Sequence, residues 1–274
     1  LLETGLQQIP KLKGKPIPVL TIYQLKYRIE QNSVRYDAIF CDEIQDLPIE
    51  FITSIKSICN HLIMAGDAEQ SIYNTVPIFE TRPATPKEIK DLIVPIEKKL
   101  GVIYRLTHSV LKVLKKVFPS MLNDMPNIAR VDTEIKLYAS DGDDIEKEIK
   151  FCWKEIKQTN TLRTSEVSAV LISGHDAIIE FVNNVLGIEG KKPWTRVNAR
   201  DNKPDYEKLN DYLRSNGIPL MYIGNNYGSL TIADRDNLIV IMTYHSAKGL
   251  DFDYVYLPMA NDDMYIHSNE DSLL

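Results

Sequence analysis

The chain has 274 residues, of which 44% are hydrophobic and 26% charged, and its formal net charge is −6. This composition is typical of a globular protein with about two domains. The acidic balance disfavours a surface coated with basic charge for duplex DNA, although a single-strand channel can be locally basic. No apolar run reaches the length of a membrane span, so we expect no membrane partner. The three cysteines, Cys41, Cys59 and Cys152, are scattered like the reduced core residues of a cytoplasmic protein.

The first half of the chain alternates between apolar runs and amphipathic segments. The predicted strands are 18–23, 37–43 and 61–67, and the predicted helices are 24–31, 48–60 and 107–118. Near-continuous apolar strands that alternate with helices are typical of a parallel sheet covered on both faces. Pro119 and Pro126 then interrupt the chain, and we place a domain boundary near 120–132.

The second half repeats this α/β pattern. The predicted strands are 134–139, 168–173, 219–223, 237–243 and 253–258, and the predicted helices are 144–158, 175–187 and 206–217. In the helix at 144–158, Ile145, Ile149, Trp153 and Ile156 are spaced for burial on one face. The sequence therefore predicts two α/β domains in tandem, residues 1–122 and 123–274, each with a parallel sheet.

Acidic side chains follow two of the strands predicted in the first domain. Asp42 and Glu43 come directly after the run YDAIFC, and Gly66 and Asp67 follow HLIMA, with Gln70 in the next loop. A carboxylate at a strand end suits Mg²⁺, which takes one or two carboxylates together with phosphate oxygens. A second carboxylate directed at a γ-phosphate could act as general base. Two solvated acids after a strand are common, however, so this pattern alone indicates a nucleotide site only weakly.

Three longer stretches make the interpretation more specific. DEIQD at 42–46 resembles motif II (Walker B) of the UvrD/Rep-like superfamily 1 helicases, and GDAEQSIY at 66–73 resembles their motif III. MTYHSAKGLDFDYVYLP at 242–258 is similar to motif V. VLTIYQLKYRI at 19–29 weakly resembles the upstream motif that contacts single-stranded DNA. Motifs II, III and V occur here in the family's order, and this combination is specific.

The resemblance implies an α/β fold of two RecA-like parallel-sheet lobes, as in P-loop NTPases. It implies the motor-core segment of an ATP-dependent DNA helicase or translocase, which hydrolyses ATP in the cleft between the lobes and moves 3′ to 5′. The implied cofactors are ATP and Mg²⁺. The implied partner is single-stranded DNA, or DNA with a single-stranded tail.

The resemblance also implies roles for residues at the nucleotide. Asp42 would bind Mg²⁺, and Glu43 would act as catalytic base. Gln70 would sense the γ-phosphate and couple hydrolysis to strand movement. Gly249 and Asp251 would lie at the nucleotide from the side of the second domain.

A second set of implied roles concerns DNA. Thr21 and Tyr23 of the upstream motif, together with Tyr73, would lie on the DNA path, where aromatic rings can stack on bases. Thr243 and His245 would hydrogen-bond the DNA backbone. The alternative for Tyr73 is a packed core aromatic, and the alternative for His245 is a capping or core histidine.

The sequence departs from the family at both ends. It contains no GxxxxGK[ST] phosphate loop, and the family's final arginine-bearing motif is absent. We therefore expect the first lobe to lack its phosphate-loop strand and the second domain to be C-terminally incomplete. ATP hydrolysis is accordingly expected of a parent helicase, and the isolated chain is not expected to be competent for it. Exposed sheet edges would then need covering by the termini, by self-association or by a protein partner. These departures leave open an alternative function, a catalytically inactive helicase-like module that binds DNA or protein.

Overall fold

The computed structural model describes residues 17–31, 34–67, 75–76, 78–98, 102–103, 106–117, 127–128, 134–138, 144–162, 167–199 and 203–260. The chain divides into two compact units, the first mainly Leu1–Val102 and the second mainly Ile128–His267. Both contain parallel strands and helices, which confirms the mixed α/β prediction. The boundary predicted between 122 and 123 lies outside the described residues. Among the described helices, none is long and apolar enough to cross a membrane.

The first unit is built on a pair of parallel strands. Its elements are α1 (Ile22–Glu30), β1 (Tyr36–Cys41), a 3₁₀ turn (Ile44–Asp46), α2 (Ile49–Ser57), β2 (Cys59–Met64) and α3 (Pro86–Ile93). β1 and β2 pair from Tyr36 opposite Cys59 to Cys41 opposite Met64. One sheet face packs on α2, whose Phe51, Ile52 and Ile55 are buried; on the other, Phe40 is 76% exposed. The protein partner predicted to cover exposed sheet edges stays a prediction.

Three short elements come next in the sequence. They are β3 (Val102–Ile103), α4 (His108–Val117) and β4 (Asn127–Ile128). β3 and β4 pair with each other, and α4 coincides with the helix predicted at 107–118. Leu111 lies buried on its apolar face.

The second unit holds a four-stranded sheet flanked by helices. Its elements are α5 (Ile145–Leu162), β5 (Ser168–Ile172), α6 (His175–Ile188), α7 (Tyr206–Ser215), β6 (Leu220–Tyr222), α8 (Leu230–Arg235), β7 (Ile239–Thr243), α9 (Tyr244–Ala247) and β8 (Tyr254–Tyr256). The strand order is β6-β7-β5-β8, and every neighbouring pair is parallel.

Alternate residues of these strands face two separate cores, because successive side chains of a strand point to opposite sides. Val170 and Ile241 belong to the core that also contains Ile149, Trp153 and Ile156 of α5, with further residues from α6 and α7. Ala169 and Val240 face the other side, with Ala233 of α8. Burial on both sides explains why these strands are apolar throughout.

Two predicted strands are wrong. Residues 18–23 do not form a strand, because Thr21 and Gln24 make a capping box that starts α1 at Ile22. Residues 134–138 also lack strand structure, and Leu137 is 81% exposed. This segment instead contacts α5, where the Tyr138 ring stacks on Phe151 with 4.6 Å between ring centroids. In both places local contacts prevail over the intrinsic strand preference of an apolar run.

Candidate functional site

The parallel pairing of β1 and β2 brings their carboxyl ends to one edge of the sheet. The N–H of Ala65 donates to the carbonyl oxygen of Cys41 at 2.9 Å. The N–H of Ile44 in turn donates to the carbonyl oxygen of Ala65 at 3.1 Å. The predicted acids Asp42 and Glu43 are thereby adjacent to the chain that continues into Asp67. Carboxyl ends of parallel strands are where α/β proteins bind ligands.

Glu43 has an unusual backbone conformation at this edge. Its φ of 54° and ψ of 43° lie in the left-handed region, which costs a non-glycine residue roughly 1–2 kcal/mol. The 3₁₀ turn that follows holds this conformation, since the N–H of Asp46 donates to the carbonyl oxygen of Glu43 at 3.0 Å. The Glu43 N–H donates to Asp42 Oδ1 at 3.0 Å. Strained backbone is concentrated at functional positions, so the conformation supports a role for this carboxylate.

Gln45 joins the two strand ends and was given no role from the sequence. It is only 5% exposed, its Nε2 donates to Glu43 Oε2, and its Oε1 accepts from the Asp67 N–H at 3.2 Å. Gly66 makes room for this amide: a Cβ there would lie 2.5 Å from Gln45 Oε1. The sequence signal was the amide two residues after Glu43, but its partner in the second strand is visible only in the fold.

Asp42 is placed where a carboxylate could bind Mg²⁺ that arrives together with a nucleotide. Its side chain is exposed at the strand end, whereas among the described residues no three His, Cys, Asp or Glu side chains form a metal cluster. Mg²⁺ is commonly held by one or two carboxylates while phosphate oxygens and water complete its octahedron. An exposed carboxylate at a strand end is therefore compatible with Mg²⁺ that arrives with a nucleotide.

The thiol next to these acids is not a nucleophile. Burial, reinforced by the charge of Asp42, raises the pKa of Cys41 to about 11. The thiol therefore stays protonated near neutral pH, and a thiol is a far weaker nucleophile than a thiolate. The chemistry available at this edge is that of the carboxylates and the amide.

In the second unit, the predicted DNA contacts follow β7. Thr243 is 7% exposed and caps α9: its Oγ1 accepts from the Ser246 N–H at 3.2 Å and lies 3.0 Å from Ser246 Oγ. His245 is half-buried in the same short helix. Thr243 thus has a structural role, and the DNA contacts of both residues stay predictions.

Gly249 and Asp251 lie on an anchored surface segment. Both are exposed, while Leu250 and Phe252 pack against the core on the α8 side of the sheet. Gly249 has a φ of +78°, a conformation that suits glycine far better than other residues. This alternation presents the two predicted nucleotide contacts at the surface of the second unit.

A hydrogen-bonded aromatic cluster lies next to the turn at Thr243. It was not predicted from the sequence. His175 Nδ1 is 2.6 Å from the Tyr206 hydroxyl, and the rings of Tyr206 and Tyr222 stack with 3.5 Å between centroids. Burial raises the pKa of Tyr222 to about 12, so its hydroxyl stays neutral. A Cβ on Gly224 would lie 2.8 Å from that hydroxyl and 3.1 Å from Ser246 Oγ. The cluster therefore extends from the ends of β5 and β6 to the turn after β7.

The upstream predicted DNA contacts occupy the start of α1. Thr21 is its N-cap and accepts from the Gln24 N–H at 3.3 Å. Tyr23 is 62% exposed, and Tyr27, four residues later on the same helix face, is 64% exposed. Tyr27 is a further candidate for base stacking, and its i, i+4 spacing from Tyr23 was the signal in the sequence.

Gln70 and Tyr73 of the second predicted motif lie outside the described residues. Their predicted roles as γ-phosphate sensor and DNA contact stay predictions. The fold thus brings together Asp42, Glu43 and the start of the Asp67 loop within the first unit.

Comparison with known proteins bears on the second unit. Residues 195–272 match the family model described as UvrD-like helicase C-terminal domain. The matched range contains the four residues of the second unit that the sequence predicted to contact DNA or nucleotide, namely Thr243, His245, Gly249 and Asp251. No curated protein matches the chain. The parallel α/β architecture is consistent with a RecA-like helicase fold.

Proposed function

Because the chain is related to the UvrD-like helicases, we propose that it is the motor-core segment of an ATP-dependent helicase or translocase that acts on single-stranded DNA. ATP and Mg²⁺ are the proposed substrate and cofactor, and 3′-to-5′ movement is the proposed direction. The observation that most supports ATP chemistry is the strand-end arrangement of Asp42, Glu43 and Asp67, joined through the buried Gln45.

In the proposed reaction, water attacks the γ-phosphorus of ATP and ADP departs with the electrons of the broken P–O bond. Glu43 accepts a proton from the attacking water, as general base. Asp42 holds Mg²⁺, which neutralises charge on the phosphate oxygens when it is bound. Gln70 senses the γ-phosphate. The left-handed backbone at Glu43 supports this assignment, since it orients the carboxylate at a defined cost in stability.

DNA binding is proposed for a different group of residues. The exposed Tyr23 can stack on bases, which tolerates any sequence because every base has an aromatic face. Tyr73 is proposed to do the same, and Thr243 and His245 to contact the phosphate backbone. Thr21 is proposed to act beside Tyr23 while it caps α1. Gly249 and Asp251 are proposed to contact the nucleotide from the surface of the second unit.

The test is ATP hydrolysis by the 274-residue chain, measured with and without an oligothymidine single strand. The matched control is Glu43→Gln, which keeps the shape of the side chain and one acceptor oxygen but removes its basicity. Where the chain hydrolyses ATP, we expect turnover to rise with DNA and to fall at least about 100-fold in the control. Equal turnover by parent and control would contradict the role of Glu43.

DNA affinity separates the proposed motor from the alternative function. Fluorescence anisotropy with the same labelled strand measures binding without requiring hydrolysis. DNA binding without ATP turnover would support a helicase-like binding module over a motor that works by itself. If neither activity is found, DNA is not the partner of this chain.

A further inference from the structure

The side chain of Gln45 uses both ends of its amide. Nε2 donates to the carboxylate of Glu43, and Oε1 accepts from the backbone N–H of Asp67 at 3.2 Å. A carboxylate can only accept a hydrogen bond and a backbone N–H can only donate one, so the bridging group must do both. Glutamate lacks the donor, lysine lacks the acceptor and methionine lacks both. The chemical identity of an amide is therefore required at this position.

The surroundings hold this amide in one place. Gln45 is only 5% exposed, and the 3₁₀ turn that contains it is fixed to the neighbouring strand end by the bond from the Ile44 N–H to Ala65. Gly66 leaves space that a Cβ would fill, at 2.5 Å from Gln45 Oε1 and 2.6 Å from Ile44 Cγ2. The bridge thus connects two backbone segments that already lie side by side.

We infer that Gln45 is a positioning residue, which couples the carboxylate of Glu43 to the chain segment entered at Asp67. The inference rests on the proposed ATP hydrolysis for its catalytic consequence, but the bridge itself does not. Through this bridge, the position of the chain at the end of β2 determines the orientation of the Glu43 carboxylate.

This coupling acts on the orientation of Glu43 and not on nucleotide affinity. A general base must lie within hydrogen-bond reach of the water it activates, and small misplacements of catalytic groups cost large factors in rate. Loss of the bridge is therefore expected to lower kcat while KM for ATP changes little. Because a smaller folded fraction would also lower the apparent kcat at unchanged KM, turnover is normalised to the folded fraction of each variant.

Two substitutions separate the two hydrogen bonds. Gln45→Glu has nearly the same shape and keeps an acceptor for the Asp67 N–H, but it cannot donate to Glu43. Gln45→Met fills a similar volume and removes both bonds. The matched control is Gln31→Met, which makes the same exchange at an exposed glutamine of the same unit. Far-UV circular dichroism establishes that each variant is folded.

The first readout is amide hydrogen exchange at Asp67, measured by NMR without nucleotide. We expect Gln45→Met to speed this exchange about five- to tenfold, whereas Gln45→Glu and Gln31→Met leave it within about twofold. Unchanged exchange in Gln45→Met would overturn the bridge. This readout needs no ATPase activity, so it decides on the bridge even where the proposed function fails.

The second readout is steady-state ATP hydrolysis by the chain with DNA. We expect both Gln45 variants to lose about 10- to 100-fold in kcat with KM changed less than about twofold. A change confined to KM would overturn the positioning role. Turnover by Gln45→Glu equal to that of the parent would overturn it as well, because that variant lacks the donor to Glu43.

Discussion

Replacing Gly66 with alanine puts a methyl carbon where the amide of Gln45 already lies. The new Cβ would be 2.5 Å from Gln45 Oε1, 2.6 Å from Ile44 Cγ2 and 3.2 Å from the backbone nitrogen of Ile44. Real Cβ atoms are almost never found within 3.0 Å of such atoms. The side chain of Gln45 must therefore move, and its hydrogen bonds to Glu43 and Asp67 are lost with it.

The expected cost combines a packing effect and a polar effect. Overfilling a packed site costs about 1–3 kcal/mol. A buried amide that loses its partners costs about 1–3 kcal/mol more. The lower conformational entropy of alanine in the unfolded chain returns about 0.4–1 kcal/mol. We therefore expect Gly66→Ala to lower the free energy of unfolding by about 3 kcal/mol.

The assay is urea unfolding followed by far-UV circular dichroism, with Gly187→Ala as the matched control. Gly187 is also exposed, but a Cβ there meets no atom within 4 Å. Because Gly187 lies in α6, its replacement by alanine should stabilise the chain by about 0.5–1 kcal/mol. Both tryptophans, Trp153 and Trp194, lie in the second unit. Their fluorescence therefore reports unfolding of that unit and shows whether the loss of stability is confined to the first.

One result would refute this reasoning directly. Unfolding of Gly66→Ala at the urea concentration of the parent would mean that the amide of Gln45 does not occupy this space. A loss of the same size in Gly187→Ala would also contradict it, because that substitution meets no steric obstacle. ATP turnover should fall in Gly66→Ala along with stability, since the position of Glu43 depends on the displaced amide.

Four further outcomes are expected. Glu43→Gly should be about 1 kcal/mol more stable to urea than Glu43→Ala, because glycine relieves the left-handed backbone strain; the reverse order would contradict that strain. Thr243→Val should lose about 1 kcal/mol in tryptophan-detected unfolding, whereas Thr243→Ser retains the cap; equal losses would show that the hydroxyl does not stabilise α9. Tyr23→Ala should weaken oligothymidine binding about tenfold in fluorescence anisotropy, while Tyr23→Phe binds like the parent. Unchanged affinity in Tyr23→Ala would show that this ring does not contact DNA. Hydrogen bonds from the Arg82 guanidinium, together with those from Thr85, lower the pKa of Glu88 from 4.5 to about 2. The stabilisation from this carboxylate is therefore complete above pH 4.5 and is lost as the pH falls toward 2. In an NMR titration, Arg82→Met should return the Glu88 pKa toward 4.5, and an unchanged value would contradict this cause.

Much of the fold follows from residue spacing. The strand at Tyr36–Cys41 and the helix at Ile145–Leu162 lie where the apolar runs predicted them, because burial on one or both faces determines those runs. The position of Asp42 and Glu43 just after a strand also follows from the sequence. Since parallel strands end at a common edge, their nearness to Asp67 could be expected.

Other features depend on side-chain contacts that the spacing of apolar residues does not report. The start of α1 at Ile22 replaced a predicted strand because the Thr21 cap outweighed strand preference. Tyr206 and Tyr222 meet only because α7 packs beside β6.

Gln45 shows most clearly what the sequence predicts and what only the folded structure reveals. The sequence contains an amide two residues after the candidate base, but not the N–H it binds 22 positions later. Periodicity reports which side of an element is buried. The pairing of two strands decides which polar atoms then come within 3 Å or so of each other, and that distance gives the amide its role.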